Sequence, residues 1–196
     1  MDHRPVFDAV RVMLERGFRL DEVAALDAAI ELAATGETAP AITHTLGAAG
    51  KALIQKWEGC AKRRADGMVE AYPDPGSADG HPWTIGWGST GADIGPGIVW
   101  TQAQCDARFD RDIQRYIEDV RRAVEAAPTT PNQFDALVSF HYNTGAIAKA
   151  TLTKLHKEGK FDSAKAAFAN WIYNDGKPMN GLRHRRADEA KLYGTP

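Results

Sequence analysis

Glu58, Asp74 and Thr84 are the residues of this chain whose types and settings could do chemistry together. Glu58 closes an apolar helical segment, Ile54-Gln-Lys-Trp-Glu-Gly59. Asp74 lies in the turn-rich Ala71-Tyr-Pro-Asp-Pro-Gly76, and Thr84 on the short apolar run Trp83-Thr-Ile-Gly-Trp87. Two carboxyls on different elements facing one cleft can divide acid and base roles, because the one in the more apolar setting stays protonated while the other stays ionised. Taken singly, each has an ordinary structural reading: a helix-end acid in a salt bridge, a turn-forming aspartate, a strand threonine. Other chemistries lack their residues. There is no GxSxG for a serine nucleophile and no HExxH for zinc, and the histidines are scattered. Gly86-Trp-Gly-Ser-Thr-Gly91 has GxGxxG spacing, but no helix clearly starts after it, so a dinucleotide site is not supported. No cofactor and no metal are expected.

The elements that must position these residues fall into three stretches. Val6, Val10, Met13 and Leu14, then Leu20, Val23, Leu26 and Ile30, recur at helical spacing and predict two short amphipathic helices joined near Gly17. Thr35-Gly-Glu-Thr-Ala-Pro40 has linker chemistry, which places a domain boundary between 1–42 and 43–196. A helix over 46–57 follows. Residues 67–97 then hold eight of the 18 glycines and four of the 10 prolines, which predicts a small irregular sheet rather than helix. From Thr101 the chain reads as helical: a capped helix to about 127, a buried helix over 134–142 entered through Thr130-Pro131 and stopped at Asn143-Thr-Gly145, and helices near 146–158, 162–173 and 181–193. The fold class is α+β, a small β-sheet lobe and a mainly helical lobe with an N-terminal helical extension. A cleft between unequal lobes is where a ligand is expected.

Composition excludes several classes. The chain has 196 residues, a net charge of −2 and 26% charged residues, so a strongly basic nucleic-acid-binding surface is not expected. No apolar run approaches the roughly 20 residues that span a bilayer. The first 18 residues carry acids and bases throughout, unlike a signal peptide. Cys60 and Cys105 are two isolated thiols rather than a disulfide framework.

Four motifs occurring in order carry more than any one alone. Lys56-Trp-Glu-Gly59, Ala71-Tyr-Pro-Asp74, Trp83-Thr-Ile-Gly-Trp-Gly88 and Gly181-Leu-Arg-His-Arg-Arg186 resemble the pattern of the phage-type lysozymes, glycoside hydrolase family 24, and Ala136 to Gly145 resembles that family's central helix. The resemblance covers roughly 46–195. It implies a lysozyme-like two-lobed fold and hydrolysis of the β-1,4 bond between N-acetylmuramic acid and N-acetylglucosamine in bacterial peptidoglycan. By the same resemblance Glu58 matches the general acid, Asp74 the catalytic aspartate and Thr84 the threonine that helps hold water. Arg185, with Arg186 as second choice, matches the guanidinium that supports the glutamate. Tyr72 and Asn143 match cleft positions that touch sugar, against the alternatives of a packed aromatic and a helix C-cap.

This sequence departs from the family pattern in wider Glu58–Asp74 and Asp74–Thr84 intervals, which look like loop insertions at 61–67 and 76–81. Such loops are tolerated energetically, but they bring the rival acids Asp66, Glu70 and Asp79. Serine also stands at 89, where the family often has histidine. The implied reaction is inverting if water attacks the opposite face of the sugar. A lytic transglycosylase and a non-catalytic wall-binding module are the competing functions. The implied setting is a monomeric endolysin or a tail-associated lysozyme. The former is made in the host cytoplasm without a signal anchor, inserts in no membrane and is released to the wall. Residues 1–42 have no assigned role.

Overall fold

The computed structural model describes residues 2–14, 16–18, 20–35, 44–60, 62–74, 77 and 79–196. The linker expected over 35–40 therefore lies mostly outside the described residues, as do parts of both loop insertions. The chain divides into two compact units, Met1–Thr43 and His44–Pro196. The first holds α1 (Arg4–Leu14) and α2 (Leu20–Thr35). Phe7 and Phe18 meet edge to face at 5.2 Å, and His3 Nδ1 lies 2.9 Å from Asp27 Oδ1. No residue of α1 is buried, and Met13 is 82% exposed. Among the described residues no helix is long and apolar enough to cross a membrane.

The second unit carries the expected α+β architecture. α3 (Ala48–Glu58) leads into two small antiparallel sheets. One pairs β1 (Val69–Glu70) with β5 (Val99–Trp100), and the other orders β2 (Tyr72–Pro73), β3 (Trp83–Ile85) and β4 (Ser89–Thr90). The β3–β4 connection explains the glycine motif. Gly86 and Gly88 take φ of +62° and +89°, and the turn runs into an antiparallel strand rather than a helix. β3 therefore ends at Ile85, two residues before the apolar run does.

The helix expected from 101 to 127 is two segments, α4 (Gln102–Asp112) and α5 (Gln114–Val124), meeting at Ile113, whose backbone stays helical at φ −69° and ψ −21°. Thr101 and Gln104 close a capping box at its start. α6 (Pro131–Thr144) opens with a second box, Thr130 with Gln133, has proline in its first turn and ends on Gly145 at φ +61°. It is buried from Gln133 to His141, and α3, α5 and α9 (Asn180–Tyr193) pack around it. α7 (Thr151–Lys157) and α8 (Phe161–Ala167) complete the lobe.

The helix expected over 162–173 stops early. A 3-10 turn, Phe168–Asn170, leads into an unforeseen hairpin, β6 (Tyr173–Asn174) with β7 (Lys177–Pro178). Its two-residue turn is Asp175-Gly176 with φ of +48° and +74°, the Asp-Gly pair that the tight right-twisted hairpin turn favours.

The entry to α3 is pinned by a buried acid. Asp135 is 2% exposed and accepts from the backbone N–H of Gly47 at 2.7 Å and of Gly50 at 2.8 Å. Burial pushes its carboxyl up, and these two donors pull it back. A Cβ at Gly50 would lie 2.5 Å from Leu46 Cδ1 and 2.7 Å from Asp135 Cγ. Gly50→Ala should therefore cost about 2–3 kcal/mol by overpacking and by displacing the cap. Urea unfolding reads this directly, and a loss under about 0.5 kcal/mol would mean that the contact relaxes freely.

A buried histidine ties α7 to the C-terminus. Thr129 Oγ1 donates to the Ala127 carbonyl and so accepts from His156 Nε2 at 2.8 Å, leaving Nδ1 to accept from the Tyr193 hydroxyl at 2.6 Å. Burial pushes the ring down to about 4. An unfolded histidine takes up its proton near pH 6.5 while the folded ring resists until about 4, so stability is complete above pH 6.5 and falls on acidification. The expected slope is about 1.4 kcal/mol per pH unit between pH 6 and 5. Half-buried His44, also shifted down by burial, adds in the same direction. Denaturant midpoints across that range measure it, and a flat profile would contradict a neutral buried His156.

Candidate active site

Glu58 is the last residue of α3, held where the helix meets the small sheets. Gly59 turns the chain at φ +64°. One residue earlier, the Trp57 indole donates to Asp188 of α9 at 3.1 Å, and Lys56 pairs with the same carboxylate at 2.6 Å. Both ends of α3 are thus fixed to the helical lobe, the first by Asp135 and the second by Asp188. The Glu58 side chain is 22% exposed, and Arg185 Nη1 donates to its Oε1 at 2.8 Å.

Arg185 is itself 5% exposed and is oriented from behind. Its Nε donates to Glu189 Oε1 at 3.2 Å, and Ser139 Oγ donates to the same oxygen at 2.8 Å. Arg186 does not reach Glu58. It is 1% exposed, lies over the Phe140 ring, and donates through Nη2 to Glu189 at 2.8 Å and to Asn143 Oδ1 at 3.1 Å. Its Nε lies 2.7 Å from Glu189 Oε2 but off the hydrogen-bond axis, so that contact is one of charge. Glu189, fully buried, anchors both arginines. The sequence reading passed over it, although acids three and four residues after two arginines on a helix are a recognisable pairing signal.

Tyr72 and Thr84 are cross-strand partners on β2 and β3. Asp74 follows β2 in a loop closed by its N–H to the Gly80 carbonyl at 3.1 Å and its carbonyl to the Ser77 N–H at 3.2 Å. Burial holds the Tyr72 hydroxyl above its ordinary range, and the negative charges of Glu58 and Asp74 add to that. Tyr72 therefore lies within electrostatic reach of both carboxylates and stays a donor. Among the rival acids, Asp66 caps its own turn through the Met68 N–H at 3.0 Å, and Asp79 holds the Ser77 hydroxyl and the His81 N–H. Glu70 lies on β1, opposite Val99.

Two hollows meet at Glu58 and Asn143, which line both. One, of about 520 Å³, runs past Gly88, Thr90, Arg111 and Tyr142; the other, of about 720 Å³, past Trp57, Trp171, Tyr173 and Met179. Tyr72, Asp74 and Thr84 line neither. A larger hollow of about 860 Å³ between α5 and α7 touches none of the candidate residues. Tyr142, also missed in the sequence, donates to the Trp87 carbonyl at 3.0 Å, and burial raises its hydroxyl well above the usual range. A Cβ at Gly88 would lie 3.4 Å from Glu58 Oε2, so the open side of the carboxylate faces bare backbone. Among the described residues no group of three or more His, Cys, Asp or Glu is placed to hold a metal ion.

The family model described as phage lysozyme matches residues 55–189, which include Glu58, Tyr72, Asp74, Thr84, Asn143, Arg185 and Arg186. The chain belongs to the phage lysozyme family. An endolysin of Bacillus phage PZA is 40% identical over 118 residues, 58% of this chain and 45% of the relative. One of Bacillus phage B103 is 33% identical over 150 residues, 75% and 53%. The chain spans about half the length of these two relatives. Among solved structures, the muramidase domain of SpmX from Asticaccaulis excentricus superposes with a TM-score of 0.66 at 31% identity, covering 78% of this chain and 99% of that one. The α+β fold expected from the sequence is thus the lysozyme fold of its relatives.

Proposed function

We propose that this phage lysozyme family member is an endolysin muramidase that cleaves the β-1,4 bond between N-acetylmuramic acid and N-acetylglucosamine in peptidoglycan. The observation that carries the reading is Glu58, held by a buried arginine at the junction of two hollows, where a glycan laid across both would present a glycosidic oxygen to it. Glu58 protonates that oxygen. Asp74, with Thr84, positions and activates water on the opposite face, so the reaction inverts. Asn143, which lines both hollows, contacts sugar there; Tyr72, outside their lining but within electrostatic reach of Glu58, is assigned a second sugar contact, and Arg185 holds the Glu58 carboxyl in place. The catalytic unit spans 43–196 and acts as a monomer without cofactor, metal or nucleic acid. It gathers in the host cytoplasm and reaches the wall once a separate pore opens the inner membrane. Residues 1–42, whose described part holds α1 and α2, are a helical extension to which no role is assigned.

Release of reducing ends from purified peptidoglycan tests the carboxylate assignment. Asp74→Asn should lower the rate by about 10²–10⁴-fold, the range for losing a general base, while Glu70→Gln should stay within a few-fold of the parent. The reverse pattern would move the base to Glu70. Proton NMR of the first turnovers should show the α-anomer, and a β-anomer would replace the inverting route by a covalent retaining one.

A further inference from the structure

The hollow on the β4 side of Glu58 carries positive charge that the catalytic groups do not use. Arg108, Arg111 and Arg115 stand three and four residues apart along α4 and α5, on one face of the helical rod, and all line that hollow. Arg108 is committed: it holds Asp112 at 2.9 Å and also pairs with Asp93. Glu58 is held by Arg185. Arg111 and Arg115 are exposed and form no ion pair among the described residues; Arg115 makes only a hydrogen bond to the Tyr116 hydroxyl at 2.7 Å and stacks on that ring at 4.6 Å. Ser89 lines the same hollow with a buried hydroxyl that has no hydrogen-bond partner among the described residues. The hollow's lining thus sets three guanidinium groups against two acids, Glu58 and Asp112, and Arg111 and Arg115 are the two guanidinium groups not held in an ion pair among the described residues, a pair suited to receiving a planar carboxylate.

We infer that Arg111 and Arg115 bind a carboxylate of the peptide branch borne by the glycan, and so select strands whose stems carry free acids over neutral ones. This deepens the muramidase reading and rests on it. A sugar chain is uncharged along its backbone, so guanidinium groups in its groove recognise the substituent rather than the sugar. The contact is made in the bound substrate before the bond breaks, so it acts mainly on KM rather than kcat.

The test uses the full chain and two soluble preparations of the same glycan strands, one with free stem carboxylates and one with these converted to carboxamides. The parent should prefer the acid strands by about 2- to 10-fold in kcat/KM, the range for one or two solvent-exposed ion pairs. In Arg111→Gln/Arg115→Gln that ratio should collapse toward one, chiefly through KM on the acid strands. Arg111→Lys should restore part of it, and rising salt should shrink the parent's preference. A parent ratio near one, or a ratio the double variant leaves unchanged, would overturn the assignment while leaving the muramidase intact. Failure of the parent to cleave either preparation would instead overturn the muramidase reading, and this inference with it.

Discussion

Glu58→Gln should abolish wall hydrolysis and barely disturb the fold. Loss of a general acid removes about 10²–10⁴-fold of rate, which takes turbidity clearing below detection at ordinary enzyme concentrations. The structural cost is small for a stated reason. The side chain is 22% exposed, glutamine offers an oxygen to Arg185 Nη1 in the same place, and Arg185 keeps its bond to Glu189. A stability loss of about 1 kcal/mol is expected, the size of one weakened hydrogen bond. Unfolding and clearing measured on the same preparation separate the two effects. Residual hydrolysis within tenfold of the parent would remove Glu58 from the acid role.

Glu189→Gln should do the opposite. Glu189 is fully buried and is the shared anion for Arg185 and Arg186, which are 5% and 1% exposed. Neutralising it leaves two buried guanidinium groups with Glu58 as their one charged partner among the described residues. Breaking such a set by removing one member costs about 3–5 kcal/mol, a fall in melting temperature of about 10 °C or more for a unit of this size. Activity at low temperature should fall less than in Glu58→Gln, because the Arg185–Glu58 contact survives in the molecules that stay folded. A loss below about 1 kcal/mol would show that water or a side-chain rearrangement compensates the arginines.

The contrast between these two glutamates also explains what could be read from the sequence. Thr101 and Thr130 were legible as helix starts, and Gly145 as a stop, because caps are local. The buried stretch of α6 was legible because a run such as Ala136-Leu-Val has no other stable setting. The hairpin at Asp175-Gly176 was just as local, and its turn residues were there to be recognised. Ile113 was not legible as a break, since its backbone stays helical and no glycine or proline marks it.

In the site, Glu58 and Arg185 are 127 residues apart, and only the ordered motifs brought them together on paper. Ser139 and Asp188 hold the site from behind through contacts made by packing α3, α6 and α9, which no single motif announces, whereas Glu189 carried a local signal in its spacing from Arg185 and Arg186. The loops around Asp74 are the least legible part. Their length changed the spacing, and turn chemistry such as Asp79 with Ser77 is decided within the loop itself.

The most direct test is the mass of the fragments released from purified peptidoglycan. Hydrated muropeptides ending in reducing N-acetylmuramic acid, formed by the parent and absent with Glu58→Gln, are the expected result. Anhydro ends would contradict water activation by Asp74 and make the protein a transglycosylase. Folded parent protein that binds the wall and releases nothing would contradict catalysis altogether.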